Sequence, residues 1–313
     1  MEKFELFIYR IKCLIFFKYR KIKIFLFGKL PNSILWKRQW YTYFEVKKKF
    51  LNYKYNLSSI SQKANNYTPP NSKNVWVYWN TGIDSAPELV KMCFNQLKKS
   101  IPKDYQLRIL TADNLSEYIV IPHWLIEKVE KKQMSQAHFS DIIRLALLYC
   151  YGGLWIDATC FLTKEIPNSV LKADFFVFQS NRLNLQEVYS PIKCSNWFIF
   201  AKDKNNYLLG RILQILMVYW KKHSFIIDYY LFHITLAALV DTDRRCKKAW
   251  EEMPYICNMN PHTLQLSLAE KYTDLKWNSI IDSCFIQKLT YKYKRELLNA
   301  KTKNMLQYFM EFS

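Results

Sequence analysis

One stretch, SQAHFSDIIRLALLYCYGGLWIDAT at 135–159, constrains this chain more than any other. Ser135 is a good helix cap, and Phe139, Ile142, Ile143, Ala146 and Leu147 recur behind it at helical spacing. The spacing predicts a helix over 136–149 that stops at Gly152 and Gly153, the residue type favoured just past a helix end. A short apolar strand, 154–156, follows and ends on Asp157. On a helical wheel Asp141 and Arg144 lie opposite the apolar stripe, yet Leu145 and Leu148 border them. The pair therefore faces a partly covered surface. It is either an ordinary i,i+3 ion pair contributing roughly a few tenths of a kcal/mol or one side of a site.

The rest of the chain sets the fold class. Strands are predicted at 75–79, 105–110, 154–156, 175–179 and 197–201, and helices at 86–99, 122–132, 136–149, 207–222, 229–239 and 294–311. Strands separated by helices imply an α/β domain with a mainly parallel sheet. Before it, 58–74 is polar and carries a Pro-Pro pair, which reads as a linker. Residues 1–70 are thus expected to form an arm and linker, and 71–313 the main domain.

Charge is unevenly spread over the 313 residues. The chain carries 46 Lys and Arg against 26 Asp and Glu, and residues 1–60 hold 14 of the former against three Glu, a local excess of +11. The segment 1–57 alternates aromatic or aliphatic pairs with basic residues, as in LFIYRIKCLIFFKYRK. Such an arm either lies helically on an anionic membrane surface, with Lys heads among the phosphates, or packs as helices on the main domain. Charge alone also admits nucleic acid, but no recognised nucleic-acid motif is present and no such partner is expected. No stretch of ~18 uncharged apolar residues occurs, so no membrane span is predicted. The eight cysteines form no CxxC pair, which fits buried free thiols in a reducing compartment. The expected location is the cytoplasm, peripheral on the inner face of the membrane.

In open α/β sheets, ligands sit beyond the carboxyl ends of strands, and Asp157 is placed there. A carboxylate at that position suits Mg²⁺ or Mn²⁺ on a diphosphate. Gly152 and Gly153 let backbone or ligand approach closely. Asp141, Arg144 and Asp157 are the candidate catalytic residues.

The matching stretches VWVYWNTG (75–82), HFSDIIRLALLYCYGGLWIDAT (138–159) and, more loosely, SNWFIFAK (195–202), DYYLFH (228–233), NPHTLQ (260–265) and KLTYK (288–292) resemble the capsular polysaccharide synthesis proteins, glycosyltransferases with a DXD sugar-binding region. The resemblance covers about 71–293. It implies a GT-A-like fold, with a mixed, mainly parallel nucleotide-binding sheet flanked by helices. By it, Asp141 and Arg144 bind hydroxyls of the donor sugar, Asp157 contacts ribose and metal, and Trp79 either stacks on the nucleotide base or packs in the core. Gly153, Asn196, Trp197 and Lys288 complete the expected donor-binding set, and Asp157, Thr159 and His262 the expected ligands for Mn²⁺ or Mg²⁺. The implied partners are a nucleotide-sugar donor and a lipid-linked saccharide acceptor. Retention of anomeric configuration is expected, by front-face attack, because no nucleophile for double displacement is evident.

Two positions depart from the family pattern. Thr159 stands where the second DXD carboxylate belongs, and Gln287 precedes Lys288 where a histidine is expected. Weak metal affinity, neutralisation of phosphate by Arg144 and Lys288 without metal, and loss of activity all remain open from the sequence. His233 and His262 are candidate substitutes. A catalytically silent sugar-binding or assembly protein on the same fold is the rival reading.

Overall fold

The computed structural model describes residues 32–60, 73–180 and 190–311. In chain order the main elements are α1 (Asn32–Glu45), β1 (Asn74–Tyr78), α2 (Glu88–Ser100), β2 (Gln106–Leu110), α3 (His123–Glu130), α4 (Gln136–Tyr151), β3 (Gly153–Ile156), β4 (Cys160–Leu162), β5 (Phe175–Gln179), β6 (Cys194–Ala201), α5 (Tyr207–Lys222), α6 (Leu231–Thr242), α7 (Arg244–Glu252), α8 (Asp274–Ser283), β7 (Ile286–Lys288) and α9 (Met305–Glu311).

Five strands form one sheet in the order β2-β1-β3-β6-β5. β1 pairs in parallel with β2 and β3, whereas β6 is antiparallel to both β3 and β5. Four strands therefore run one way and β6 alone runs against them, the mixed, mainly parallel α/β sheet expected. Alternation sorts side chains to the two faces. Trp76, Trp155, Val177 and Ile199 meet the core built with α4, α5 and α6, while Val75, Val77, Leu154, Ile156, Phe176 and Phe198 face the other core. Both faces are covered, which explains why the strands read as continuous apolar runs. β4 and β7 pair antiparallel in a separate two-stranded ribbon.

α4 is buried nearly all round, with Asp141 and Arg144 included. Ser135 caps it through the His138 amide, and Gly152 and Gly153 carry φ of 72° and 94° in the turn to β3, where a side chain would be strained. The Trp76 indole donates to the Gly152 carbonyl at 3.0 Å and fixes that turn to β1.

Several expectations shift. Residues 32–60 pack on the domain: Tyr43, Val46, Phe50, Leu57 and Ile60 are buried in the same core as α4, α5 and α6. Residues 1–31, the remainder of the basic arm, lie outside the described residues. The single helix expected over 294–311 is a 3₁₀ segment (Arg295–Asn299) followed by α9. α7, α8 and the β4–β7 ribbon were not predicted; α7 is short and mostly charged, with Cys246, Ala249 and Trp250 its apolar residues, and β4 and β7 have three residues each. Six of the seven described cysteines are buried, and no disulfide joins any two of them. No described helix is long and apolar enough to cross a membrane.

α1 is latched to the domain by one buried ion pair. Arg38 Nε lies 3.2 Å from Asp228 Oδ2, and Arg38 Nη2 donates to the Ile227 carbonyl at 2.7 Å. Asp228 also accepts from the Tyr230 amide at 2.9 Å, so it orders the entry to α6 rather than serving as its cap. Burial holds the Asp228 carboxyl above the usual carboxylate range, against the pull of Arg38. Arg38→Ala is expected to destabilise the fold by roughly 3 kcal/mol at pH 7.5, because it leaves a buried carboxylate without its cation. The deficit narrows as pH falls and Asp228 takes up a proton; urea unfolding at both pH values measures it.

Candidate active site

At the carboxyl end of β3, side chains from four segments meet in a cavity of about 510 Å³, within the roughly 300–1,000 Å³ of small-molecule sites. α4 supplies Asp141 and Arg144, the turn after β3 supplies Asp157 and Thr159, β6 supplies Asn196, and β7 supplies Lys288.

Arg144 is the hub. Its Nη2 lies 3.6 Å from both Asp141 Oδ1 and Asp157 Oδ1. Nε donates to the Ser140 carbonyl at 3.2 Å, Nη2 to Ser140 Oγ at 3.1 Å, and Nη1 to the Asn196 carbonyl. The guanidinium also sits 5.0 Å from the Trp155 ring centroid, a cation–π contact. Trp155 meanwhile donates its indole N–H to Asp157 Oδ1 at 2.9 Å. Asn196 Nδ2 donates to Asp141 Oδ1 at 2.8 Å.

Lys288 completes the cluster, with Nζ 3.0 Å from Asp157 Oδ2 and hydrogen-bonded to Thr159 Oγ1. The pairing of β4 with β7 sets its position: Lys288 lies opposite Cys160, and the Leu289 amide donates to the Thr159 carbonyl at 2.9 Å.

The two carboxylates are driven apart in acidity. Burial pushes Asp141 up to about 7; the Asp157 charge adds to this, while Arg144 and the Asn196 bond oppose it. Burial also acts on Asp157, but Lys288 and Arg144 outweigh it and hold this carboxyl below its usual range. Burial works to discharge Lys288, yet Asp157 prevails and raises its pKa. His233, also in the lining, is driven by burial and by Arg144 down to about 3, so it is neutral, and its Nδ1 is buried without a partner.

Aromatic residues form another part of the lining. Trp79 is half-buried and meets Tyr291 edge to face, with centroids 5.4 Å apart. Tyr78 lies beside them, its hydroxyl donating to Asn80 Oδ1 at 2.7 Å. Elsewhere on the wall Tyr229, 61% exposed, packs against His138 at 5.6 Å.

Three expected residues are not brought into the cavity. Gly153 sits at the amino end of β3, where it permits the turn from α4 and lies away from any ligand at the carboxyl end. Trp197 is buried, stacked on Phe178 at 4.6 Å within the core. His262 lies edge-on to Trp197, with centroids 5.9 Å apart, outside the cavity lining.

The expected metal ligands Asp157, Thr159 and His262 do not fit a divalent cation. Mg²⁺ and Mn²⁺ at a diphosphate are held by one or two protein carboxylates turned to face the ion, with phosphate and water completing the set. Here Asp157 Oδ2 and Thr159 Oγ1 both accept from Lys288, and His262 is turned elsewhere. Among the described residues no three His, Cys, Asp or Glu side chains group to hold a metal. Gln287 is no lost ligand either. Neighbouring strand residues point to opposite faces, and its side chain is fully buried, donating to the Asn260 carbonyl at 3.1 Å and accepting from the Leu264 amide at 3.0 Å.

Sequence reasoning missed Trp155, Tyr291 and Ser140. The alternation of β3 could have flagged Trp155, whose ring lies on the face of the sheet that α4 covers. Tyr291, three residues beyond Lys288, carried no signal of its own.

The model of the capsular polysaccharide synthesis protein family matches residues 24–309, and the chain belongs to that family. It is 30% identical over 104 residues to O-glycosyltransferase PaGT of Phomopsis amygdali, a match covering 31% of this chain and 26% of that protein. It is 25% identical over 173 residues to the probable glycosyltransferase FCK3 of Fusarium pseudograminearum, covering 52% and 42%. The chain thus spans between a quarter and under half the length of these curated relatives. Among solved structures, the PaToxG Glycosyltransferase aligns with 80% of this chain and 99% of its own at 16% identity, with a TM-score of 0.35.

Asp141 makes the site costly. With a pKa raised by folding, it binds protons more tightly in the native than in the unfolded chain, so its contribution to stability falls as pH rises from 4 towards 7 and beyond. Asp141→Asn keeps the shape without the charge. It is expected to melt above wild type at pH 8, and the gain is expected to vanish near pH 4; thermal unfolding at the two pH values checks this.

Proposed function

We propose that this member of the capsular polysaccharide synthesis family is a glycosyltransferase, moving a sugar from a nucleotide diphosphate to an acceptor hydroxyl in surface polysaccharide assembly. The observation that carries the reading is the convergence of Asp141, Arg144, Asp157, Asn196 and Lys288 on one cavity beside the Trp79–Tyr291 pair. The aromatic pair suits a nucleotide base, since stacking contributes about 1–3 kcal/mol per base in nucleic-acid systems. Lys288 and Arg144 suit the diphosphate. Asp141, Asn196 and the unpartnered Nδ1 of His233 offer hydrogen bonds to sugar hydroxyls.

The reaction is then a substitution at the anomeric carbon. The bond from that carbon to the β-phosphate oxygen breaks as the acceptor oxygen bonds to the same carbon, and the acceptor proton passes to the leaving phosphate. Attack from the face the leaving group departs retains configuration and needs no protein nucleophile. The fixed charges of the site stabilise the departing diphosphate. In this reading the acceptor is a lipid-linked saccharide, met beside Tyr229 and His138.

Thermal-shift screening of UDP-, GDP- and CDP-sugars is expected to find one nucleotide class that raises Tm, because a ligand bound only by the native state stabilises it. Asp157→Asn is expected to abolish donor hydrolysis. The reading falls if no donor stabilises folded protein. Equal background hydrolysis in wild type and Asp157→Asn favours the silent sugar-binding alternative instead.

A peripheral membrane location is part of the proposal, and the described fold narrows where to look. Because residues 32–60 belong to the core, the contact is assigned to residues 1–31, which hold eight Lys and Arg against two Glu. Removing 1–31 is expected to release the protein from anionic vesicles while leaving its melting temperature unchanged. Unchanged sedimentation with the vesicles would discard the lipid contact.

A further inference from the structure

We propose that the Lys288 ammonium, held by Asp157 and Thr159, is the cation that receives the donor diphosphate, in the place where a divalent metal would otherwise sit. The inference rests on reading the cavity as a nucleotide-sugar site and deepens that reading. Its first support is position. Backbone pairing of β7 with β4 brings Lys288 over the Asp157–Thr159 turn, so the charge is delivered by the fold and not by a flexible surface chain.

Its second support is the donor count. An ammonium has three N–H donors. Asp157 and Thr159 take two, which leaves one for a phosphate oxygen in a cavity that Lys288 lines. Arg144 has five N–H donors; Ser140 and Asn196 take three of them, and the guanidinium is held 3.6 Å from both carboxylates.

Charge gives the third support. Thr159 accepts from the ammonium without cancelling it, so only Asp157 opposes Lys288 directly.

Calorimetric titration of the full chain with UDP, GDP and CDP, first in EDTA and then in Mn²⁺, tests the proposal. One nucleoside diphosphate is expected to bind with the same affinity in both, within about twofold. Lys288→Met keeps the apolar stem and removes the charge. It is expected to weaken binding in EDTA by ~10- to 100-fold, the range for a lost charge-assisted hydrogen bond. Mn²⁺ is expected to restore part of the loss in this variant alone, since Asp157 and Thr159 are then released as ligands. Lys288→Arg is expected to bind in EDTA within a few-fold of wild type, and circular dichroism verifies that each variant is folded. Wild-type binding that appears only with Mn²⁺, or that Lys288→Met leaves unchanged, overturns the role of Lys288 and leaves the nucleotide-sugar reading standing. No binding of any nucleoside diphosphate in either buffer overturns both. The wild-type comparison needs no variant and decides the question even if Lys288→Met does not fold.

Discussion

Compensation of charge in a nearly dry place is the constraint on which the rest depends. Asp141 and Arg144 are each less than a tenth exposed, and an isolated ion so buried would cost several kcal/mol even after relaxation. The cluster is tolerable because each carboxylate sees a cation and each cation sees a carboxylate or a carbonyl. Removing a cation strands a carboxylate. The arrangement also needs three regions well separated in sequence, 141–159, 196 and 288, to be brought to one place. That demand accounts for much of the architecture around it: two cores packed on both faces of one sheet, and a helix buried on nearly every side.

The backbone does most of the placing. The Asp157 amide donates to the Trp197 carbonyl at 2.8 Å, and the neighbouring Asn196 carbonyl receives Arg144. β6 therefore holds both partners of one ion pair through its main chain, and its side chain at 196 adds a bond to Asp141. The amino-terminal helix enters the same logic at longer range. Arg38 fixes Ile227 and Asp228, the next residue, Tyr229, lines the cavity, and the Tyr229 carbonyl meets His138 Nε2 at 3.4 Å. A helix that looks like a detachable arm from its charge thus shapes one wall of the site.

What was legible in the sequence follows from how local each signal is. The 135–159 stretch announced itself because capping, periodicity, glycine punctuation and a strand-end carboxylate fall within one run of residues. Asp141, Arg144 and Asp157 do meet, as that run suggested. Lys288 was visible only as part of a loose resemblance, because a three-residue strand has no periodicity to read. Trp197 misled for the opposite reason. An aromatic residue on a strand beside a site asparagine looks like a sugar platform, but alternation turns it into the core, where Phe178 stacks on it. The same alternation explains 287 and 288: one residue faces the site, and its neighbour ties β7 to the segment at 260–264.

The two departures from the family pattern are better understood together. A carboxylate at 159 would stand beside Asp157, and both would bear on the Lys288 ammonium. With Arg144 already shared between Asp141 and Asp157, the cluster would then be neutral or negative and would repel a diphosphate until a divalent cation joined it. A hydroxyl at 159 accepts one N–H and adds no charge. It keeps Lys288 in place and leaves Asp157 as the one carboxylate directly opposing the ammonium. Thr159 is therefore consistent with a fixed ammonium and inconsistent with a demanding metal cage, whereas Gln287, turned into the fold, is silent on the choice. On this view Thr159 and Lys288 act as one unit, the hydroxyl positioning the ammonium without adding a charge of its own.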